Sequence, residues 1–218
     1  TCASGGGRVD LGILEYTSRV WPSDTNDALD RLRVQRGFQN LFPSELMGSH
    51  VGPSPCHITG RQHSMAFRAG VAFWGHMGVE ADVRQLSDAD RQVLSEAIAL
   101  HKHHRELIHG GTYQVVDRPA GEQAWIVLAP DHSEALAALA MLETPSTPFP
   151  NRYRFIGLDA DRHYELKLVW PGDLRPKQKN HKDELSDAHW SGDWLMSVGL
   201  SLPILKPESL LIYHLKAV

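Results

Sequence analysis

A change of hydrophobic pattern near residue 110 constrains the fold more than any other feature of the sequence. Before it, short apolar and glycine-bearing stretches alternate with segments of helical periodicity, and no lysine precedes Lys102. After it, apolar and polar residues alternate with period two between turns rich in Pro, Gly and Asp. Helices that alternate with strands are typical of parallel α/β proteins, whereas period-two alternation is typical of antiparallel sheets. We therefore predict an α/β region over residues 1–110 and an all-β region, an antiparallel β-sandwich, over residues 111–218.

Three stretches of the first region predict helices. "DTNDALDRLRVQRGF" predicts a helix over about residues 25–36. Asp24 or Ser23 is its expected cap, and Gly37 is its expected end. "SMAFRAGVAFWG" is apolar on most sides, which predicts a helix packed between neighbours. "LSDADRQVLSEAIALHKHHRELIHG" predicts a long amphipathic helix that begins at Ser87. Between the helices, "ELMGSHVG" and "GHMGVEADV" predict buried strands with functional loops at their ends.

The second region predicts strands from alternation. "RHYELKLVW" places Tyr164, Leu166 and Leu168 on one face of a strand, with polar residues between them. "EQAWIVLAP", "NRYRFIGL" and "SLLIYHLKAV" predict further strands, and "RPKQKNHKDELSD" predicts a polar surface loop.

Composition excludes several classes of partner. Lys and Arg total 22 against 26 Asp and Glu, and this net charge of -4 argues against a nucleic-acid or anionic-membrane partner. No apolar run approaches the ~20 residues that span a bilayer. The two cysteines, Cys2 and Cys56, are too few for a disulfide framework, and we expect reduced thiols in a cytoplasmic protein.

Asp24 is the carboxylate that the sequence singles out, because it follows Trp21, Pro22 and Ser23. A carboxyl group that is partly desolvated beside an indole ring has a raised pKa and can donate a proton near neutral pH. The alternative is structural, since an Asp just before a helix commonly caps it. The sequence alone leaves both interpretations open.

Other stretches offer weaker signals. The glycines of "SGGGR" allow backbone to approach a ligand closely, or form a plain turn, and their spacing is not that of a dinucleotide-binding loop. His101 and His104 share one helical face, which we interpret as a solvated helix end. A further group of strand-end residues matches no compact metal-site spacing, so we expect no metal and no other cofactor. That group is His50, His57, His76, Glu80 and Asp82.

Several motifs together carry a family resemblance. They are "CASGGGRVDLGILEYTSRVWPSDTNDALDRLRVQRGF", "MGSHVGPSP", "GHMGVE", "RYRFIGLD" and "LMSVGLSLPIL". In this order and spacing, from Cys2 to the end of the chain, the sequence resembles the carboxyl-terminal part of glycoside hydrolase family 36 α-galactosidases. The resemblance implies a retaining hydrolase that releases terminal α-linked galactose from raffinose-family oligosaccharides and galactomannan side chains. It also implies a partial (β/α)8 (TIM) barrel before the C-terminal β-sandwich, no cofactor, and a homotetramer.

The resemblance also implies site residues. Asp24 in "WPSD" matches the general acid/base, and Cys2 and Gly5 match positions that line the galactose subsite, which Trp21 borders. The family's nucleophile is an Asp in a Lys-x-Asp motif on an earlier strand, and no lysine of this chain lies two residues before an Asp. We therefore expect the 218 residues alone to be inactive. Their expected partners are the missing N-terminal part of the same enzyme and an α-galactoside substrate.

Three alternative functions stay open. A related α-galactosyl transglycosylase, such as a raffinose-synthesising enzyme, or an α-N-acetylgalactosaminidase would share these motifs. Because the nucleophile is absent, this piece taken alone also fits a non-catalytic sugar-binding or assembly module.

Overall fold

A computed structural model describes residues 11–144, 150–172, 185 and 189–218. It divides into two compact units, Thr1–His109 and Gly110–Val218. The helices are α1 (Ala28–Gln39), α2 (Met65–Ala72), α3 (Asp88–Gly110) and α4 (Gly192–Ser197). The strands are β1 (Gly48–Val51), β2 (His76–Val79), β3 (Thr112–Val116), β4 (Glu122–Leu128), β5 (Glu134–Met141), β6 (His163–Trp170), β7 (His189–Ser191) and β8 (Ser209–Ala217). Short 3-10 turns cover Leu11–Glu15, Ser44–Leu46 and Val83–Gln85.

Parallel pairing organises the first unit. Strands β1 and β2 pair in parallel, with His50 opposite Gly78, and α2 connects them. Val20 forms a parallel bridge with Met47 on the other side of β1. The predicted alternation of strands and helices with parallel pairing is therefore confirmed here. Two strands and one bridge do not constitute a barrel, and the described residues show no more of one.

Helix α1 begins and ends later than the sequence predicted. Asp27, not Asp24 or Ser23, is its N-cap, and the Asp27 carboxylate accepts from the backbone N–H groups of Leu29 and Asp30. Gly37 lies inside the helix, which ends at Gln39. The predicted N-cap was wrong because Asp27 has additional partners, from a distant loop, that hold it in place.

The other two helices of this unit match their apolar patterns, but the interpretation of the His101 and His104 face of α3 as solvated was wrong, because His104 is buried. The Ser64 side chain caps α2, and seven of its eight residues are buried, as the all-round apolar sequence predicted. The Ser87 hydroxyl accepts from the Asp90 N–H at 3.1 Å, which confirms the predicted start of α3. Leu94, Ala97 and Leu107 are buried on its apolar face.

The second unit contains a six-stranded antiparallel sheet in the order β3-β4-β5-β8-β6-β7. Strand β5, "EALAALAM", lies near the centre and is buried on both faces, which explains its uninterrupted apolar sequence. Antiparallel pairing is confirmed. The second sheet of a sandwich is not seen in the part of the chain that the structure describes, where the strands of this unit belong to one sheet.

The core of the second unit is completed by segments that are not strands. Tyr164, Leu166 and Leu168 of β6 are buried on one face, as predicted, and pack in one cluster with Tyr153 and Phe155. The stretch "NRYRFIGL", predicted as a strand, forms only an isolated bridge between Tyr153 and Leu200. The prediction was wrong because the aromatic residues there pack onto the sheet as an irregular layer.

Two further sequence predictions concern the surface. Among the described residues, no helix has both the length and the apolar character that crossing a bilayer requires. The predicted polar loop "RPKQKNHKDELSD" lies outside the described residues apart from Leu185, which is buried.

Candidate active site

The carboxyl ends of three parallel segments bring polar and aromatic residues together in the first unit. Val20 hydrogen-bonds through its N–H to Leu46 and through its carbonyl to Gly48, so the segment ending in Trp21 lies beside β1. The Glu80 N–H donates to the Val51 carbonyl at 2.9 Å, which keeps the ends of β1 and β2 level. Ligands of parallel α/β proteins bind at such carboxyl ends.

Trp21 lies flat against His50. The two ring centroids are 4.5 Å apart with an interplanar angle of 9°, and Trp21 is half-buried. Gly48 makes this contact possible, because a Cβ there would lie 2.8 Å from the indole ring. Gly48 of β1 thus allows the indole of Trp21 to lie close to the strand, where its ring partner is the imidazole of His50.

His50, Asn26 and Glu80 form a hydrogen-bonded group. The His50 Nε2 atom lies 2.7 Å from Asn26 Oδ1 and 3.2 Å from a Glu80 carboxylate oxygen. The Asn26 amide nitrogen donates to the other Glu80 oxygen at 3.4 Å. The His50 side chain is fully buried, whereas the Glu80 side chain is 51% exposed. His50 and Asn26 thus fix the position of the Glu80 carboxylate just after the end of β2.

His50 is neutral in this environment. Burial and then the charge of Arg31 lower its pKa from 6.5 to about 3, and the nearby Asp24 carboxylate opposes that shift only in part. Because both facing atoms of Asn26 and Glu80 are acceptors, the ring proton resides on Nε2. His50 therefore serves in this group as a neutral hydrogen-bond donor.

Asp24 is exposed, and this corrects the reasoning from which it was selected. We expected Trp21 to desolvate the carboxyl group, but the indole stacks on His50 instead. The competing structural role is also absent, because Asp27 caps α1. Asp24 therefore lies exposed in the loop after Val20–Trp21, near enough to His50 for its charge to raise the pKa of that ring.

Asp27 connects this loop to the one that follows β1. Its fully buried carboxylate accepts from the Thr59 hydroxyl, from Arg61 at 3.0 Å and from His63 at 3.3 Å. Burial raises the pKa of Asp27, but these hydrogen bonds and the backbone N–H of Asp30 outweigh it and lower the pKa to about 2. We call Asp27 with Thr59, Arg61 and His63 the Asp27 clamp. It connects the start of α1 to residues 32 to 36 positions away in the sequence.

Sequence reasoning missed Arg31, whose buried guanidinium lies beneath the Asp24 loop and 5.9 Å from the Trp21 ring centroid. Residue type alone does not distinguish it from the exposed Arg33 two positions on. An arginine on the apolar flank defined by Ala28, Leu32 and Gln35 is the signal that could have revealed it.

The remaining strand-end candidates do not join one cluster in the described structure. His57 is exposed, the His76 ring contacts the Glu45 carbonyl at 2.6 Å, and Asp82 caps a 3-10 turn while pairing with Arg84. The His101 ring bonds the Phe73 carbonyl at 3.0 Å. Within this group of five strand-end residues, the contact that the described structure shows is the one between His50 and Glu80.

A cavity of about 690 Å³ also borders Trp21 in this unit. It lies beside β2 and α3, with Arg19, His76 and Arg105 in its wall. Asp24 and Glu80 are not among its lining residues. The cavity and the polar group at the strand ends are therefore separate features.

Two of the predicted site residues, Cys2 and Gly5, lie outside the described residues. Cys56, in the loop after β1, is a buried free thiol.

Comparison with known proteins identifies the family. A family model described as Melibiase matches residues 1–111, and one described as Glycosyl hydrolase family 36 C-terminal domain matches residues 122–215. The chain belongs to glycoside hydrolase family 36. This family 36 chain is 38% identical over 224 residues to the alpha-galactosidase of Escherichia coli, with 99% of this chain and 32% of that protein covered.

Solved structures agree with the family 36 assignment. The crystal structure of the alpha-galactosidase AgaB from Geobacillus stearothermophilus matches with a TM-score of 0.85 at 32% identity, over 100% of this chain and 28% of that one. A variant of AgaA from the same organism, in complex with raffinose, matches with the same TM-score, identity and coverage. The chain thus spans only 28% to 32% of the length of these relatives.

Proposed function

We propose that this chain is the carboxyl-terminal part of a retaining α-galactosidase that hydrolyses terminal α-galactosides, with Asp24 as its general acid/base. The observation that carries the proposal is the placement of Asp24. It follows a parallel segment at its carboxyl end and is exposed, while Asp27 takes over the helix cap. Curated relatives of the chain are alpha-galactosidases, and AgaA variants bind raffinose or stachyose in their crystal structures.

The parallel segments around the site fit part of a (β/α)8 barrel. We assign residues 1–110 to the carboxyl-terminal portion of such a barrel and residues 111–218 to the domain that follows it. Parallel pairing of β1, β2 and the Val20 bridge, with α1, α2 and α3 following the segments in turn, supports this assignment. Residues at the carboxyl ends of barrel strands carry the chemistry of this architecture.

A retaining mechanism needs a second carboxyl group ~5–5.5 Å from the first. In the first step, Asp24 donates its proton to the glycosidic oxygen as the second carboxylate attacks the anomeric carbon and the C1–O bond breaks. In the second step, the Asp24 carboxylate takes a proton from water, which attacks the anomeric carbon and releases galactose. The Asp27 carboxylate is occupied by the hydrogen bonds of its clamp and is not available as a nucleophile. We therefore place the nucleophile upstream, in a Lys-x-Asp strand, a motif that this chain lacks.

Three further residues complete the proposed subsite. Cys2 and the Gly5 amide would bind sugar hydroxyls or exclude water. Trp21, which stacks on His50, would border the sugar face. The substrate class is terminal α-galactosides, and the complete enzyme is proposed to be cytoplasmic and homotetrameric without a cofactor.

Substitution of Asp24 tests the proposal in the full-length enzyme. We expect Asp24→Asn to lower kcat/KM by about 100-fold or more for raffinose, whose leaving sugar needs protonation. The loss for a nitrophenyl α-galactoside should be at least ten times smaller, because nitrophenolate leaves without a proton. Initial rates on both substrates give the ratio.

Asp30→Asn is the matched control, since it removes a carboxylate six positions away at the start of α1. It should change both rates by the same small factor. Equal losses on raffinose and on the nitrophenyl substrate for Asp24→Asn would overturn the acid/base role.

One alternative is favoured by a specific observation, the absence of a Lys-x-Asp motif from the chain. Taken alone, the piece could serve as a sugar-binding or assembly module. Calorimetric titration of the 218-residue chain with galactose, followed by a product assay, separates the two, because binding without hydrolysis favours the module. In the full-length enzyme, product analysis with raffinose and free galactose separates hydrolysis from α-galactosyl transfer. Turnover of an α-N-acetylgalactosaminide substrate tests the third alternative, an α-N-acetylgalactosaminidase.

A further inference from the structure

Arg31 binds the backbone on both sides of Asp24. Its Nη1 atom donates to the Ser23 carbonyl at 3.0 Å and to the Thr25 carbonyl at 3.1 Å. Its Nη2 atom donates to the Gly48 carbonyl of β1 at 3.3 Å. One guanidinium therefore fixes both peptide groups that flank Asp24 and ties them to the neighbouring strand.

Arg31 is a deeply buried cation. The residue is 1% exposed, and its hydrogen bonds in the described structure go to carbonyl oxygens. Burial lowers its pKa to about 10, with the Glu80 charge acting in the opposite direction, so it remains a cation at neutral pH. A buried cation without a direct carboxylate partner carries a large desolvation cost, and its planar donors reach several acceptors that lysine cannot reach together.

We propose that Arg31 is the positioning residue of Asp24. By holding the Ser23 and Thr25 carbonyls it fixes the direction in which the Asp24 side chain leaves the backbone, and so aims the carboxyl group at the glycosidic oxygen. The proposal rests on the acid/base role of Asp24 proposed above. Displacement of a catalytic group by about 1 Å can lower the rate about 100-fold, so a small shift of the Asp24 loop would slow the reaction.

Arg68 provides a matched control within the same unit. It is also a buried arginine on a helix, and it also donates to a strand-end carbonyl, that of Gly52, at 2.7 Å. The hydrogen bond described for it goes to neither residue beside Asp24. Removal of either guanidinium should affect stability, whereas only removal of Arg31 should affect proton donation.

The experiment compares Arg31→Met, Arg31→Lys and Arg68→Met with Asp24→Asn in the full-length enzyme. For each variant we measure kcat/KM on raffinose and on a nitrophenyl α-galactoside, together with the melting temperature. We expect Arg31→Met to lose about ten times more rate on raffinose than on the nitrophenyl substrate. Arg31→Lys keeps the charge but not the planar guanidinium, so its rate loss on raffinose should exceed its loss on the nitrophenyl substrate by a smaller factor. Arg68→Met should lower both rates equally.

The outcomes separate this inference from the proposed function. If Asp24→Asn shows the substrate bias and neither Arg31 variant does, Arg31 is only structural and the inference fails alone. If Asp24→Asn itself shows no bias, the proposed function fails. Should Arg31→Met not fold, the substrate ratio of Arg31→Lys decides by the same criterion.

Discussion

Asp24 and Asp27 lie three residues apart, yet the structure gives them opposite environments. The Asp27 side chain is fully buried and accepts hydrogen bonds from five other residues, four of which lower its pKa to about 2. Asp24 is exposed at the strand end. Environment rather than residue type thus separates the structural carboxylate of Asp27 from the one that we propose as the acid/base.

The depressed pKa of Asp27 predicts a pH-dependent contribution to stability. Because the folded-state pKa of about 2 lies below the ordinary value of 3.8, the ionised carboxylate stabilises the fold by about 2 kcal/mol above pH 4. This contribution is lost as the pH falls from about 4 to about 2. In the full-length enzyme we expect Asp27→Asn to lower the melting temperature at pH 7 and pH 5, with a smaller difference from wild type at pH 3.

Asp88→Asn is the control for this measurement, because the Asp88 side chain is 99% exposed. It should shift the melting temperature little at every pH. A difference between wild type and Asp27→Asn that stays constant from pH 3 to pH 7 would contradict the linkage.

At the scale of the element, Gly37 occupies the interior of α1 without a packing reason. A Cβ at this exposed position would meet nothing within 4 Å. Glycine inside a helix costs roughly 0.5–1 kcal/mol relative to alanine because more backbone freedom is lost. We expect Gly37→Ala to raise the melting temperature of the full-length enzyme by the equivalent of that amount, without a change in kcat/KM.

Gly75→Ala makes the opposite comparison at the start of β2. There a Cβ would lie 2.6 Å from the Met47 carbonyl oxygen, so the strand would have to move away from β1. This variant should lower the melting temperature. If both alanine variants shifted stability in the same direction, the helical position of Gly37 would be wrong.

At the scale of the whole molecule, the chain covers less than a third of its relatives' length. Strand β2 pairs with β1 on one side and, among the described residues, has no strand on the other. An unpaired strand edge favours aggregation, and the retaining mechanism that we propose places its nucleophile outside these residues. We predict that the 218-residue chain, produced alone, releases no nitrophenol from a nitrophenyl α-galactoside and does not form a well-folded monomer.

Size-exclusion chromatography, thermal melting and a nitrophenol assay test this together, with the full-length enzyme as the positive control. A monodisperse monomer that melts cooperatively would contradict the folding part. Detectable turnover would contradict the placement of the nucleophile upstream.

The sequence by itself determined the elements whose signal is local. The apolar stripe and the serine cap of α3 are contained within one segment, as is the alternation that buries Tyr164, Leu166 and Leu168. Such patterns reflect free energies of burial and capping that each segment realises wherever it packs. The motif "WPSD" likewise identified Asp24 as the candidate residue.

Only the tertiary structure decided which aspartate caps α1, which arginine faces inward and whether "EALAALAM" is a strand. The cap depends on Thr59, Arg61 and His63, which lie 32 to 36 positions from Asp27. The alanine-rich strand β5 is stabilised by its neighbours β4 and β8, against its own preference for helix. These outcomes depend on long-range contacts, whose energies exceed the small local preferences that a sequence pattern records.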